Sequence, residues 1–143
     1  MRHAQRGTSM VEFSIAVLAL LLFVFGIFEF GRALYTYHTV SNAARLGSRW
    51  AMVRGASCSA PLDHCNAAQA DVLAYVQSQV VAVIDPSQIT VDVSWPGTGT
   101  CANSNARGCP VSVTVHYPFG FALPFVSSQA LTLSSTSQMT VSN

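Results

Sequence analysis

The longest feature of the sequence is an unbroken apolar run near the amino terminus. Residues 13–28 carry no charge, and Ser14 is the one appreciably polar side chain among them. A bilayer core about 30 Å thick needs roughly 20 helical residues, and apolar neighbours extend the run to about residues 10–30. A helix that is apolar on every side needs protein all around it to be buried, which 143 residues hardly provide. We therefore predict a transmembrane helix.

The predicted helix continues beyond the bilayer. No proline occurs between Thr8 and Pro61, so one helix can extend from Thr8 to about Arg54. The Thr8 and Ser9 hydroxyls are its predicted caps, and Glu12 is placed in its first turns. Such a helix is roughly 70 Å long, so its second half is predicted to project from the membrane as a stalk.

The stalk carries one face of small side chains, because Ala43, Gly47 and Ala51 recur every four residues. Small residues at this spacing permit close approach of another backbone. Two interpretations are open: contact with a helix of another subunit, or packing on the chain's own outer domain. Nearer the membrane, Glu29 and Arg32 are three positions apart and are predicted to pair on a solvated helix surface.

The periodicity changes after the first helix. Apolar residues recur at helical spacing over residues 66–84, with Asn66 as the predicted cap and Asp85 as part of the stop signal. An alternation of period two then predicts three strands, within residues 88–95, 111–117 and 130–141. Residues 118–125 are aromatic and bounded by prolines, and they either cap the sheet or form an exposed contact patch.

These elements predict an α+β fold with one domain. A long amino-terminal helix, residues 8–54, spans the membrane at about residues 10–30. It is followed by residues 55–143, in which a helix packs on a small antiparallel sheet of about three strands. The remaining residues, 1–7, form a short basic leader.

Composition limits the classes of function. Half of the residues are hydrophobic and 9% are charged, with a net charge of +1. Nucleic-acid binding usually requires a clustered basic surface and a high pI, so no nucleic-acid partner is expected. The four histidines are scattered, and the sequence has no GxSxG, HExxH or glycine-rich phosphate motif. We expect neither an enzyme nor a bound metal or cofactor.

All four cysteines follow the apolar run: Cys58, Cys65, Cys101 and Cys109. Their even number on one side of a membrane favours disulfides in an oxidising compartment such as the bacterial periplasm. Zinc is the alternative, but zinc-binding cysteine pairs are usually separated by two to four residues. The six and seven intervening residues found here favour disulfides over zinc. Of the three possible connectivities we predict the two local ones, Cys58 with Cys65 and Cys101 with Cys109, because each closes a short turn-rich loop.

The amino-terminal motif resembles a type IV prepilin signal. A short basic leader ends at Gly7, and cleavage after it would leave Thr8 first and Glu12 fifth. The following sequence of residues 26–51, together with residues 111–125, is similar to the TadE-like family, the pseudopilins of tight adherence pili. The likeness covers nearly the whole chain. Family members often have a proline in the apolar run, whereas residues 17–20 here contain none, so an unkinked helix is expected.

The resemblance implies a pilin-like fold and a role as a minor subunit or assembly factor of a pilus. It also implies cleavage after Gly7 by a membrane aspartic peptidase of the prepilin type. The implied partners are the inner membrane, the prepilin peptidase, other pilins or pseudopilins and the assembly platform, in homo- or hetero-oligomers. The arginines near the span oppose the positive-inside tendency, but the leader and the cysteines favour a cytoplasmic amino end and a periplasmic domain.

Glu12 has two possible roles. A carboxylate near the hydrocarbon edge is costly, so the amino group that cleavage creates at Thr8 could neutralise it, within the chain or in a neighbour. Alternatively, Glu12 faces the headgroups and complements the helix dipole.

Two other classes of protein are also open: an uncleaved single-pass periplasmic binding or scaffold protein, and an enzyme released by signal peptidase at a small-residue site near residues 41–44.

Overall fold

Two α-helices and three strands form the framework of the described part of the chain. A computed structural model describes residues 5–59, 61–80, 84–122 and 131–142. The elements are α1 (Gln5–Met52), α2 (Gln69–Val80), β1 (Thr90–Ser94), β2 (Pro110–Phe119) and β3 (Leu131–Thr140). The predicted α+β fold, with a long apolar first helix and a three-stranded antiparallel sheet, is confirmed.

Helix α1 is continuous for 48 residues, as the absence of proline predicts. Its start differs from the prediction, because it begins at Gln5 and therefore includes Gly7. Thr8 and Ser9 lie inside the helix instead of capping it, and no acid lies in the first turn. The physical reason is that the leader supplies the preceding helical turn, whose carbonyl groups accept from the backbone N–H groups that a cap would otherwise satisfy.

The sheet has the order β1-β2-β3, with antiparallel pairing on both sides of β2. Its inward face is built from alternate residues of β2, and Val111, Val113 and Val115 are fully buried. On β3 the inward positions include Ser135 and Ser137, which are partly buried. The three strands confirm the period-two pattern, although β3 presents hydroxyl groups to α1 where aliphatic residues would be usual.

The second half of α1 is part of the core and does not stand free as a stalk. Ala43 and Ala51 are buried, and they share one apolar cluster with α2 and the sheet. A Cβ atom added to Gly47 would lie 3.0 Å from Cγ2 of Val76 and 3.2 Å from Cγ1 of Val113. Of the two interpretations of the small-residue face, packing on the chain's own domain is therefore the one observed.

Helix α2 begins later than the periodicity predicts, at Gln69. Asn66 is not its cap: it has a left-handed backbone with φ of 59° and accepts a hydrogen bond from the Asn105 amide. Asp71 takes the capping role, since its carboxylate accepts from the backbone N–H of Ala68 at 2.9 Å. At the other end, Ile84 lies outside the helix, and residues 81–83 are outside the described part of the chain.

The turn after α2 is organised by Asp85. Its carboxylate accepts hydrogen bonds from the hydroxyl and the backbone N–H of Ser87 and from the amide of Gln88. These bonds, above all the one from the Ser87 hydroxyl, hold the pKa of Asp85 below its usual value. Asp85 thus caps the short 3-10 turn Pro86–Gln88.

The contact at Gly47 generates a stability prediction. Gly47→Val inserts atoms between α1, α2 and β2, and overpacking of this kind costs about 1–3 kcal/mol of unfolding free energy. Chemical unfolding of the full chain in detergent micelles, followed by near-ultraviolet circular dichroism, measures the effect. Gly31→Val on the same helix is the control, because a Cβ there meets no atom within 4 Å. Equal stability of the two variants would contradict the packing described here.

Candidate functional site

The first half of α1 is an uncovered apolar surface. Its most apolar 18-residue window has a mean hydropathy of 2.6, and none of it is buried. A core helix of a soluble protein would be covered, so that alternative does not fit. The one polar side chain within this run, Ser14, needs no water as a hydrogen-bond partner, because its hydroxyl donates to the Met10 carbonyl at 2.8 Å. By length and composition, this segment is a candidate membrane span.

The continuity of α1 is evidence against release of the domain by signal peptidase. The small-residue site that the sequence offers, near residues 41–44, lies within α1, and Ala43 and Ala44 are buried in the core. Cleavage there would cut a helix that packs against both α2 and the sheet, and would remove the fully buried Val40. The apolar segment and the folded domain are thus parts of one structural unit.

The predicted processing residues lie at the other end of α1. Gly7 is helical, and Thr8 and Glu12 are exposed on the helix surface. Residues four apart lie on one helix face, with a rise of about 6 Å between them. An amino group created at Thr8 would therefore be positioned one turn from the Glu12 carboxylate. Gly7 also weakens the helix at this point, since glycine is less favourable there than alanine by roughly 1 kcal/mol.

A second charged site lies at the opposite end of the apolar segment. Arg32 Nη1 and Glu29 Oε1 are 2.7 Å apart, which confirms the predicted pair. The expectation of a solvated surface is wrong, because Glu29 is 5% exposed. Its second carboxylate oxygen accepts from the backbone N–H of Ala122 at 3.4 Å. Arg32 in turn donates to the Gly120 carbonyl at 3.4 Å.

The residues that cover this pair come from the end of β2. We call residues 119–122 the sheet tip. The Phe119 side chain is buried, lies 5.1 Å from the Arg32 guanidinium and packs edge-on against the Phe121 ring. The described part of residues 118–125 therefore has features of both predictions: it packs against α1 at the edge of the sheet, and it leaves the Phe121 side chain partly exposed. Residues 123–125 lie outside the described part of the chain.

Both predicted local disulfides are present, Cys58–Cys65 and Cys101–Cys109. Each closes a loop at the end of the domain opposite the sheet tip, one after α1 and the other before β2. The two loops are also joined directly, because the backbone N–H of Ala56 donates to the Asn105 carbonyl at 3.1 Å. The disulfides therefore stabilise the end of the domain opposite the sheet tip.

Two further histidine–aspartate pairs lie apart from each other, and each has one exposed and one partly exposed side chain. His64 lies 3.1 Å from Asp71, and His116 lies 3.2 Å from Asp92. Within the described ranges, no group of three or more histidine, cysteine and acidic residues is arranged to hold a metal ion. The positions that stand out are thus the two charged ends of the apolar segment.

The fold and these sites define a class of protein: a small α+β domain built around the carboxyl-terminal half of a long helix. The amino-terminal half of that helix is an uncovered apolar segment. Residues 7–49 match the family described as TadE-like protein. This match confirms the resemblance over most of α1, from the predicted processing residue Gly7 through the Glu29–Arg32 pair to Gly47. Residues 111–125, which also prompted the resemblance, lie beyond the matched segment. Comparisons with curated proteins and with solved structures give no significant match.

The Glu29 site generates a second prediction. Glu29→Ala removes the partner of Arg32 and of the Ala122 N–H. Hydrogen bonds to charged groups contribute about 1.5–3 kcal/mol, and partial solvation of Arg32 reduces the expected loss to about 1–2 kcal/mol of unfolding free energy. Hydrogen exchange of the full chain in micelles should be faster at residues 120–122. Glu12→Ala, on an exposed position of the same helix, should leave that exchange unchanged. Slow exchange at residues 120–122 in Glu29→Ala would contradict the contact.

Proposed function

We propose that the chain is a TadE-like pseudopilin or minor pilin that acts in the assembly or initiation of a tight adherence pilus. The observation that carries this proposal is the family match to residues 7–49, which begins at the glycine of the prepilin-like signal. Similarity to this family favours an association with tight adherence pili. Processing, orientation and a place in the pilus machinery are the further steps that we propose.

The first step is cleavage after Gly7 by a prepilin peptidase. In support, Gly7 lies beside the apolar segment, and Thr8 and Glu12 share one exposed helix face. Cleavage would convert the Thr8 backbone nitrogen into a cation, one turn from an acid that lies near hydrocarbon. Neutralising that acid, within the chain or in a neighbouring subunit, lowers the cost of burying the end of the helix.

The second step is anchoring in the inner membrane with the domain in the periplasm. The uncovered apolar half of α1 supports the anchor. Two disulfides in the domain support an oxidising compartment on that side. Because the apolar surface surrounds the helix, the same segment can be covered by lipid before assembly and by helices of other pilins afterwards. We propose this packing role, rather than catalysis, as the function.

One observation favours an alternative. In the intact chain α1 continues through Gly7 to Gln5, so the predicted cleavage position is helical. A protein that keeps this helix would be an uncleaved, single-pass membrane-anchored scaffold in the periplasm. The two functions differ at the amino terminus of the chain isolated from cells.

The third prediction tests processing. In cells that contain a prepilin peptidase, mass spectrometry of the isolated protein should show Thr8 at the amino terminus. Gly7→Val should retain the leader, because a branched side chain then replaces the glycine hydrogen next to the bond to be cut. Ser9→Val adds similar bulk two residues further on and is the control, expected to be processed. An intact leader in the unsubstituted chain would support the uncleaved scaffold.

The fourth prediction concerns assembly. Glu12→Gln keeps the size of the side chain and removes its charge, so cleavage should continue while the yield of pili falls about tenfold, equivalent to roughly 1.4 kcal/mol of lost pairing. Glu12→Asp retains the charge and should recover much of that yield. Quantification of sheared pili by immunoblotting measures both. Normal pilus yield with Glu12→Gln would contradict the pairing role.

A further inference from the structure

We propose that the sheet tip, together with Leu131, forms a second contact with the membrane, made with the phospholipid surface beside α1. The inference rests on the anchoring step of the proposed function. It does not depend on cleavage or on pilus assembly. The partner is a lipid surface. The proposal follows from the position of the tip along α1, from its exposed apolar side chains and from its hydrogen bond to the Glu29 carboxylate.

The level of the tip is fixed by hydrogen bonds. Gly120 and Ala122 bond to Arg32 and Glu29, so the tip lies beside the turn of α1 that contains those two residues. The apolar segment ends at this turn. About 20 helical residues cross a hydrocarbon core of about 30 Å, so a span over residues 10–30 brings residue 29 to the outer boundary. The sheet tip therefore lies where hydrocarbon meets headgroups.

The tip presents apolar side chains at that boundary. Phe121 is 38% exposed and Leu131 is 48% exposed. Leu131 pairs with Phe119 in the sheet register, which places the first residue of β3 at the same edge as the tip. On α1, the exposed Phe28 and Phe30 lie about 100° to either side of Glu29. The exposed apolar surface of the span thus continues on both sides of the contact with the domain.

The polar groups at the tip suit a lipid interface. An unpaired carboxylate at the hydrocarbon edge is unfavourable, and here both oxygens of Glu29 are engaged, by Arg32 and by the Ala122 N–H. The Arg32 side chain remains 40% exposed. Long basic side chains at such positions lay their carbon stem on apolar surface and extend their charge to the headgroups. Apolar residues with an adjoining arginine are the composition of interfacial membrane contacts.

A second contact has a mechanical consequence. A single helix leaves the attached domain free to rotate about the helix axis and to change its tilt. Contact of Phe121 and Leu131 with the bilayer would favour one rotation and one tilt, because other orientations would move these side chains into water. Departure of the protein from the bilayer would then require the tip to leave the surface together with the helix.

The fifth prediction tests this contact by tryptophan quenching. The full chain is reconstituted into phosphatidylcholine and phosphatidylglycerol vesicles, with or without lipids brominated near the ester end of the acyl chain. Phe121→Trp and Leu131→Trp place separate probes at the tip, and the emission of the unsubstituted chain is subtracted. Interfacial side chains lie about 5–10 Å into the headgroup and acyl boundary, so brominated lipid should quench roughly half of the added emission of each probe.

Two further variants are controls. Gln138→Trp occupies an exposed position on β3, seven residues from Leu131 and about 24 Å away at about 3.4 Å per residue, and its added emission should not be quenched. Phe23→Trp reports insertion of α1 and should be quenched by lipids brominated deeper in the chain.

Quenching of both tip probes without quenching of Gln138→Trp supports the second contact. Quenching of Phe23→Trp alone overturns it and leaves the anchoring step intact. If no probe is quenched, both the anchoring step and the second contact fail. A tip probe that is unquenched but shifts to shorter wavelength as the protein-to-lipid ratio rises also overturns the proposal, because the tip then contacts a second copy of the chain.

Discussion

The ion pair between Glu29 and Arg32 marks the point at which α1 changes its surroundings, and the rest of the structure depends on that change. On the amino-terminal side, the helix is apolar and no other part of the described chain covers it. On the carboxyl-terminal side, its small residues are buried against α2 and the sheet. At the boundary itself, the sheet tip that follows β2 covers the Glu29 carboxylate.

The two halves of α1 differ in what can bury their side chains. Burying a large apolar side chain contributes about 1.5–3 kcal/mol, and the uncovered half can gain this energy only from lipid or from other subunits. In the other half, Gly47 permits close contact with α2 and β2, and the Ser48 hydroxyl bonds to the Ser137 hydroxyl at 2.9 Å. Because both halves belong to one continuous helix, removal of the leader at Gly7 would preserve the domain, whereas a cut near Ala44 would not.

Local patterns predicted the elements well because periodicity and turn chemistry act over short distances. Runs of apolar residues and the absence of proline predicted α1, and alternation predicted β1 and β2. The local disulfides were also predictable, because each joins cysteines within one short loop. The errors occurred at element ends. The leader replaced the cap expected at Thr8, and a left-handed backbone at Asn66 moved the start of α2 to Gln69.

The contact between the sheet tip and Glu29 could not be predicted in this way. Its partners are 88 and 93 positions apart, and their meeting depends on the packing of the sheet on α1. The spacing of Glu29 and Arg32 predicted their pairing but not their burial. For the processing site, Gly7 and Glu12 were identified through the family resemblance, and their roles remain predictions. Aromatic residues bounded by prolines in residues 118–125 were the one sequence signal for the tip.

The central claim is that α1 has two environments with a boundary at Glu29 and Arg32. The most direct measurement is an NMR spectrum of the full chain in lipid nanodiscs that contain a spin label on the acyl chains, which broadens the amide signals of nearby residues. If α1 has these two environments, the signals of residues 13–28 should be strongly broadened, the effect should decline through residues 29–32, and residues 40–52 should be little affected. Broadening of residues 40–52, or sharp signals throughout residues 13–28, would contradict this claim.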